Sequence, residues 1–165
     1  MTNINYKLLL KLLHYEPSTG VFTWRESPCC RIPAGARAGS VNTSRSDQPY
    51  WNIMVNAKNY RSGRLAWLYM TGKWPKREID HRDGNPLNDV WSNLRPATST
   101  QNKANQKIRR DNKTGFKGVH PCRNRFSARA HIRGVYKHLG VFDTAEEAAA
   151  AYRQATVAVH GEYVR

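Results

Sequence analysis

Long apolar runs, paired cysteines and acidic residues are all scarce in this chain of 165 residues. No apolar run approaches the ~20 residues that a membrane-spanning helix needs, so we expect no membrane partner. The leucine-rich residues 1–15 are interrupted by Lys7 and Lys11 and lack a small-residue cleavage site, which favours an amphipathic helix over a secretory signal. The 3 cysteines, two of them adjacent, fit neither a disulfide framework nor a paired zinc motif. A reduced cytoplasm is the expected compartment.

The shortage of acids leaves a strongly basic chain, with 27 Lys and Arg against 12 Asp and Glu and a formal net charge of +15. The excess is concentrated in residues 101–140, where eleven basic residues accompany a single acid, Asp111. A solvated basic face is the ordinary explanation of a charge run. Like charges at this density, however, repel one another unless a polyanion neutralises them. We therefore expect a nucleic acid as the partner.

Aromatic residues divide the chain into two parts. All 5 Trp lie before residue 92, whereas the last fifty residues contain Phe, Tyr and an alanine-rich stretch. The basic run around residues 107–113 has the composition of a linker. We predict a first module at residues 1–103, whose N-terminal segment is β-rich and has a hairpin turn at residues 18–20, then a basic linker at residues 104–112 and a second module at residues 113–165.

The second module contains a strictly alternating segment. In residues 125–133 the cations share one parity with Ser127, and apolar residues occupy the other, which predicts a strand with a cationic side and a core side. Gly134 favours a tight turn into a second strand at residues 136–142, and residues 116–121 are a candidate third strand.

A capped helix follows these strands. Thr144 and Glu147 form a capping box, and the alanine-rich helix that they open ends near Gly161. Alanines allow a helix to approach a sheet closely. The prediction is a small three-stranded antiparallel sheet packed on one helix, with the cationic side of the sheet open to a DNA groove.

These segments resemble an AP2 DNA-binding domain over about residues 113–162. The matching segments are Gly118-Val119, Phe126-Ser127-Ala128, Leu139-Gly140-Val141-Phe142, Thr144-Ala145-Glu146-Glu147-Ala148-Ala149 and Ala151-Tyr152. Phe126 stands where the family often has Trp, which keeps an aromatic residue in the core. The resemblance implies DNA contacts from the sheet face. By position these contacts fall on Lys117, His120, Arg123, Arg125, Arg129 and Lys137.

Asp80, His81, Asn93 and Asn102 are the chemically useful residues of the first module, in a region whose pattern predicts a hairpin and then a short helix. Cutting a phosphodiester needs a base for water and a cation for the phosphate. Neutral imidazole suits the first task, and carboxylate and amide oxygens suit Mg²⁺ or Mn²⁺. Because Asp80 and His81 are adjacent, a bend or bulge is required for both to reach one phosphate. Judged by residue spacing alone, an ordinary turn followed by an ordinary strand edge explains these residues equally well.

The same region resembles a phage-type HNH homing endonuclease. The matching segments are, in order, Arg64-Leu65-Ala66-Trp67, Thr71-Gly72-Lys73-Trp74-Pro75, Ile79-Asp80-His81, Gly84-Asn85, Asn88, Asn93-Leu94-Arg95, Thr98 and Gln101-Asn102. Residues 15–17 and 19–24 resemble the N-terminal segment of such proteins. An HNH core followed by an AP2 module is itself a known family arrangement, so the likeness covers nearly the whole chain.

The resemblance assigns a role to each candidate. It implies that His81 is the general base, that Asp80 and Asn102 bind one divalent ion, Mg²⁺ or Mn²⁺, and that Asn93 orients the hairpin within the catalytic motif. Arg95 is a weaker candidate for a phosphate contact. Gly63 stands where relatives often have His. A nuclease with weakened activity is therefore an open alternative.

The predicted fold class is α+β, with a ββα-metal (His-Me finger) nuclease core followed by the AP2-like sheet and helix. The predicted function is metal-dependent hydrolysis of phosphodiester bonds in double-stranded DNA by a homing-type endonuclease in the cytoplasm of a bacterial host. The alternative is a non-catalytic, sequence-specific DNA-binding protein with a decayed nuclease core. The sequence shows no obligatory protein partner and is compatible with a homodimer.

Overall fold

A computed structural model of the chain describes residues 4–43, 49–108 and 111–164. The chain forms two compact units, Met1–Thr98 and Ser99–Arg165. Arg109 and Arg110, which belong to the predicted linker, lie outside the described residues. The three cysteines are free thiols. Within the described ranges, none of the helices has both the length and the apolar character needed to span a bilayer.

The first unit begins with a helix and a two-stranded hairpin. α1 spans Tyr6–Leu12, and the Asn5 side chain accepts a first-turn amide hydrogen bond at 2.8 Å. β1 (Leu13–Glu16) and β2 (Val21–Trp24) pair antiparallel across the predicted turn. The predicted helix over residues 1–15 is therefore too long. From residue 13 onward every second side chain is buried, and an extended strand is the backbone that produces this alternation.

A three-stranded antiparallel sheet follows, in the order β3 (Ser40–Asn42), β4 (Tyr50–Val55) and β5 (Lys58–Arg61). Asn56 and Ala57, between β4 and β5, have positive φ angles of 50° and 58°. Two successive positive φ angles define the two-residue hairpin turn whose twist matches that of its strands. The sequence predicts none of these strands individually, because each is short and only part of it alternates in polarity.

A helix precedes the predicted hairpin, and the hairpin itself is confirmed. α2 (Ser62–Thr71) ends at Gly72, whose φ of 71° is the left-handed conformation of a glycine C-cap. β6 (Glu78–His81) and β7 (Leu94–Ala97) form a separate antiparallel pair. The loop between them ends in one 3-10 turn, Trp91–Asn93.

One apolar core joins these elements of the first unit. Its largest fully buried side chains are Tyr15, Phe22, Leu9, Leu13, Ile53, Leu65 and Leu68. Burial of an aliphatic or aromatic side chain of this size contributes about 1.5–3 kcal/mol relative to exposure. Leu94 of β7 belongs to the same core, so the β6–β7 hairpin is anchored against α2 and the N-terminal elements.

The second unit consists of a short helix, a three-stranded sheet and a long helix. Its elements are α3 (Ser99–Asn105), β8 (Val119–Cys122), β9 (Arg125–Ile132), β10 (Val135–Phe142), α4 (Ala145–His160) and a 3-10 turn at Gly161–Tyr163. The sheet order is β10-β9-β8, and both pairings are antiparallel. The predicted short helix, the three strands and the long helix are all present, although β8 begins three residues later than predicted.

Small side chains allow α4 to pack closely on the sheet. The core of this unit contains Ala128 of β9 together with Ala148 and Ala149 of α4. Gly118 has a positive φ of 68°, and a Cβ there would collide with the ring of Tyr152. The predicted capping box is confirmed, because the Thr144 hydroxyl accepts from the Glu147 amide at 3.2 Å and the Glu147 carboxylate accepts from the Thr144 amide at 3.3 Å.

Candidate active site

His81 is the last residue of β6, and the pairing of this strand fixes where its side chain points. Asp80 pairs with Arg95 and His81 pairs with Leu94, in a register that is continuous over all four residue pairs. Consecutive residues of a regular strand point to opposite faces of the sheet. The bend or bulge predicted between Asp80 and His81 therefore does not occur in this pairing, and the two side chains enter different surroundings.

Asp80 forms a buried ion pair across the hairpin. The Arg95 guanidinium donates from Nε to Asp80 Oδ2 at 2.8 Å, and each side chain is only 4% exposed. A buried carboxylate requires such a partner, because desolvation of an unpaired ion costs several kcal/mol. The structure thus brings together the predicted metal ligand and the weaker phosphate-contact candidate, and a phosphate contact by Arg95 requires its buried side chain to become accessible.

Asn93 fastens the loop that follows His81. Its side chain accepts from the Asp83 amide at 3.0 Å and donates to the Asp83 carboxylate at 3.0 Å and to the Asn88 carbonyl at 2.7 Å. Its backbone carbonyl accepts from the Arg82 amide at 2.9 Å. The nearly buried side-chain amide of Asn93 thereby links the start of the loop, at Asp83, to its later part, at Asn88. This geometry is that of a residue that orients the hairpin.

Asp83 accepts several of the hydrogen bonds that hold this loop together. The Asn85 amide and the side-chain amide of Asn88 donate to it at 2.8 Å and 2.7 Å, in addition to Asn93. Two opposing effects act on the pKa of Asp83, and the first of them, partial burial, raises it. The hydrogen bonds from Asn85, Asn88 and Asn93, with a smaller contribution from the nearby His81, outweigh burial and hold the pKa below its ordinary value of 3.8.

Asp89 is a neighbour of His81 that the sequence did not single out. His81 Nε2 lies 2.9 Å from Asp89 Oδ1, and the Asp89 side chain is 3% exposed. The Ser62 hydroxyl, at the start of α2, donates to Asp89 Oδ2. Asp89 follows an asparagine in a polar loop, where an acid is ordinarily solvated, so only its burial distinguishes it. A single sequence does not carry that signal.

The residue at the predicted position of a family histidine, Gly63, lies against this pair. A Cβ on Gly63 would be 2.9 Å from Asp89 Oδ1 and 3.7 Å from His81 Nε2. Any larger side chain there therefore competes for the space that the Asp89 carboxylate occupies. This places Gly63 beside the candidate base.

Oxygen ligands are the candidate donors for a divalent ion. The described residues contain no cluster of three or more His, Cys, Asp or Glu side chains suited to a metal ion. Asp80 on β6 carries a carboxylate, and Asn102 on α3 carries an amide. These are hard donors of the kind that suits Mg²⁺ or Mn²⁺, which retain several waters when the protein supplies few ligands. The donor chemistry fits such an ion.

The outer face of the second unit's sheet carries three of the six DNA contacts predicted in this unit, namely His120, Arg125 and Arg129. Arg125, Arg129 and His131 are exposed on β9, and His120 on β8 lies opposite Ser127, which has their parity. Ser127 itself was predicted on the cationic side, but it is buried at 2% exposure. The short serine lies between longer side chains on both neighbouring strands and is covered by them.

Three predicted contacts lie elsewhere. Lys137 pairs with the buried Ala130 and so has the core parity of β10, because the tight turn after residue 132 sets the register. Lys117 precedes β8, and its ammonium group donates to the Ala104 carbonyl at 2.8 Å. Arg123 is exposed in the β8–β9 turn with a positive φ of 53°.

Two residues of β10, Tyr136 and His138, lie on the cationic face in place of Lys137. Tyr136 pairs with His131, and His138 pairs with Arg129. Tyr136 is 81% exposed, and its ring meets that of His131 edge to face, with centroids 4.9 Å apart. A correct strand register was the missing signal, since β10 does not alternate clearly in polarity.

Comparison with known proteins defines the class of this candidate site. Residues 62–104 match the HNH endonuclease family, and this range begins at α2 and includes Asp80, His81, Asn93 and Asn102. The chain therefore contains an HNH endonuclease domain.

A curated relative defines the family more narrowly. Over 103 residues the chain is 35% identical to Protein 3.8 of Escherichia phage T7, in a match covering 61% of this chain and 84% of the phage protein. The chain belongs to the same family as this phage protein.

Proposed function

We propose that this protein is a metal-dependent endonuclease that hydrolyses phosphodiester bonds of double-stranded DNA, in the manner of a homing-type enzyme. The observation that carries the proposal is the HNH match at residues 62–104, which contains an Asp-His pair at the end of β6 and an asparagine that fastens the following loop. A ββα-metal core and an AP2-like DNA-binding domain at residues 113–165 belong to this proposal.

His81 is the proposed general base. The imidazole accepts a proton from a water molecule, whose oxygen attacks the phosphorus while the bond to the 3′ oxygen breaks. The products have 5′-phosphate and 3′-hydroxyl ends, and the 3′ oxygen takes its proton from solvent. Asn93 keeps the loop, and with it the end of β6, in a fixed position.

Asp80 and Asn102 are the proposed holders of one Mg²⁺ or Mn²⁺ ion, a role that requires the end of β6 to bend when DNA binds so that Asp80 and His81 reach one phosphate. When bound, the ion supplies positive charge for the phosphate oxygens and the departing 3′ oxygen. Arg95 fixes the Asp80 carboxylate through Nε and neutralises part of its charge. Asn102 is supported by its place in the sequence motif.

DNA binding by the outer face of β8, β9 and β10 is the second part of the proposal. Arg125 and Arg129 are exposed there, and Arg125 pairs with Asp143 at 2.7 Å in an ion pair open to solvent. Exposed pairs of this kind contribute only about 0–1 kcal/mol, so a DNA phosphate can replace Asp143 at little cost. A two-stranded ribbon or small sheet fits the major groove of B-DNA.

A non-catalytic DNA-binding protein is the second candidate, and one observation favours it. The predicted metal ligand and the predicted base both have partners within the protein, since Asp80 forms an ion pair with Arg95 and His81 a hydrogen bond with Asp89. Such pairing is also what a decayed nuclease core, kept as a scaffold, would show.

Cleavage of supercoiled plasmid in Mg²⁺ or Mn²⁺ separates the two candidates. We expect nicking by the wild-type protein that EDTA abolishes and that His81→Ala reduces by about 10²–10⁴-fold, the range supplied by a general base. His14→Ala, at an exposed histidine of β1, is the matched control and retains full activity.

Folding of the variant has to be checked, because His81→Ala leaves the buried Asp89 without its imidazole. Circular dichroism and the larger variant His81→Gln serve this purpose. Tight DNA binding without cleavage in either metal would exclude the endonuclease and establish the non-catalytic protein.

A further inference from the structure

We propose that Asp89 is a positioning residue for His81: it holds the imidazole through Nε2 and thereby makes Nδ1 the nitrogen that accepts the proton of water. This inference rests on the proposed function, in which His81 is the base. It adds the choice of ring nitrogen and the residues that enforce it.

The hydrogen bond itself selects the tautomer. Asp89 Oδ1 lies 2.9 Å from His81 Nε2, and the two side chains are 3% and 15% exposed. An ionised carboxylate can only accept hydrogen bonds, so Nε2 must carry the proton. A neutral imidazole has one N–H group, and therefore Nδ1 holds the lone pair.

The Asp89 carboxylate is itself held in place. The Ser62 hydroxyl donates to Oδ2, and the carboxylate lies against Ser62 and Gly63 in the first turn of α2. Unpaired backbone amides and the helix dipole favour negative charge at such a position. Its negative charge and its orientation are thus supported by the same helix end.

The backbone of Asp89 is fixed from the opposite direction. The Tyr15 hydroxyl donates to the Asp89 carbonyl at 2.6 Å. Gly20, in the β1–β2 turn, packs so closely on the Asp89–Val90 peptide that a Cβ would collide with it. The N-terminal hairpin and α2 therefore hold Asp89 between them, and Asp89 transmits that rigidity to His81.

Gly63 completes the arrangement by leaving room. A Cβ there would lie 2.9 Å from Asp89 Oδ1, closer than real Cβ atoms approach their neighbours, and 3.7 Å from Nε2. A side chain at residue 63 would displace the carboxylate from the imidazole. Gly63 and Asp89 therefore act together to position the imidazole of His81.

Nitrogen-15 NMR of the neutral His81 ring tests the tautomer in the wild-type protein without any substitution at the site. We expect the proton on Nε2. A proton on Nδ1 overturns the proposal, whether or not the protein cleaves DNA, so this result is independent of the proposed function.

Variants of Asp89 test the consequence for turnover. We expect Asp89→Ala to mix the tautomers and to lower kcat by about 10- to 100-fold, the usual effect of losing an orienting partner, with KM for DNA unchanged. Asp89→Asn retains an oxygen that accepts from Nε2 and an amide that donates to Ser62, so it should restore the Nε2–H tautomer and most of the turnover. Gly63→Ala should resemble Asp89→Ala, and Glu26→Gln, at an exposed acid of the same unit, is the control.

The outcomes distinguish a failure of the positioning role of Asp89 from a failure of the proposed endonuclease activity. Wild-type kcat in Asp89→Ala, beside an inactive His81→Ala, overturns the positioning role and leaves the endonuclease intact. An Asp89→Asn protein that keeps the Nε2 proton but loses as much turnover as Asp89→Ala also overturns it. Full activity in His81→Ala removes the proposed base and, with it, this inference.

Discussion

Individual carboxylates of the β6–β7 hairpin are distinguished by what holds them. Asp80 and Asp89 are buried and each contacts one cationic or imidazole partner, Arg95 and His81 respectively. Asp83 is partly exposed and is held by amide groups instead. Three acids within ten residues thus have three different environments, and the chemistry available to each follows from its partner and not from its position in the sequence.

Asp83 should make the stability of the hairpin depend on pH. Burial raises its pKa, but the hydrogen bonds from Asn85, Asn88 and Asn93 outweigh burial and lower it below 3.8. A lowered pKa in the folded state means that the stabilisation is present above the unfolded-state value and is lost as the pH falls through the folded-state value. Asp83 is exposed and solvent screens its charge, so we expect Asp83→Asn to destabilise the protein by only about 0.5 kcal/mol near neutral pH and by less at pH 3.

Urea unfolding of both proteins at pH 6, 4 and 3 measures this difference. Glu26→Gln, which removes an exposed acid, should show no such convergence toward low pH. A difference between wild type and Asp83→Asn that is the same at pH 6 and pH 3 would show that the carboxylate charge does not support the loop.

At the level of the helices and strands, local sequence patterns were sufficient to predict an element wherever one segment determines its own structure. The alternation in β9, the capping box of α4 and the end of α4 at Gly161 are examples, and the structure confirms each. Register was not predictable in the same way. Lys137 lies on the core side of β10 because pairing with β9 decides its face, and that pairing involves two strands and a turn.

The cationic face of β9 leads to a prediction about salt dependence. Neutralising one phosphate contributes about 0.9 to the slope of log affinity against log salt for B-DNA. We expect Arg129→Ala to reduce that slope by about 1, and Arg125→Ala combined with Arg129→Ala to reduce it by about 2. Arg153→Ala, at an exposed cation of α4, should leave the slope unchanged.

Fluorescence anisotropy with a labelled duplex between 50 and 300 mM salt supplies the measurement. An unchanged slope in the double variant, or an equal loss in Arg153→Ala, would show that the sheet face does not meet the DNA backbone. A loss of affinity without any change of slope would point to base contacts in place of phosphate contacts.

For the molecule as a whole, the composition already indicated a polyanion, and the family relationship agrees with a DNA-directed enzyme. Charge is a property of the sequence and needs no fold to be counted. The candidate site was only half predictable. His81 and Asn93 belong to a motif, whereas Asp89 is held by residues 15, 20 and 62 and Gly63 lies against residues 81 and 89, and all these contacts join residues distant in sequence. Burial created by tertiary packing is the information that the sequence pattern lacked.

The number of cleaved strands follows from the number of proposed sites in one chain. The HNH match occurs once, at residues 62–104, and His81 is the one proposed base. A single base hydrolyses one phosphodiester, so one chain acting alone should convert supercoiled plasmid to open circles, and linear DNA should appear after a lag. We expect the initial rate of nicking to rise in proportion to protein concentration. If two chains instead act together on both strands, linear DNA forms from the start, without an open-circle intermediate, and its initial rate rises with the square of the concentration. That result would replace the picture of an independently acting chain with a cooperating pair.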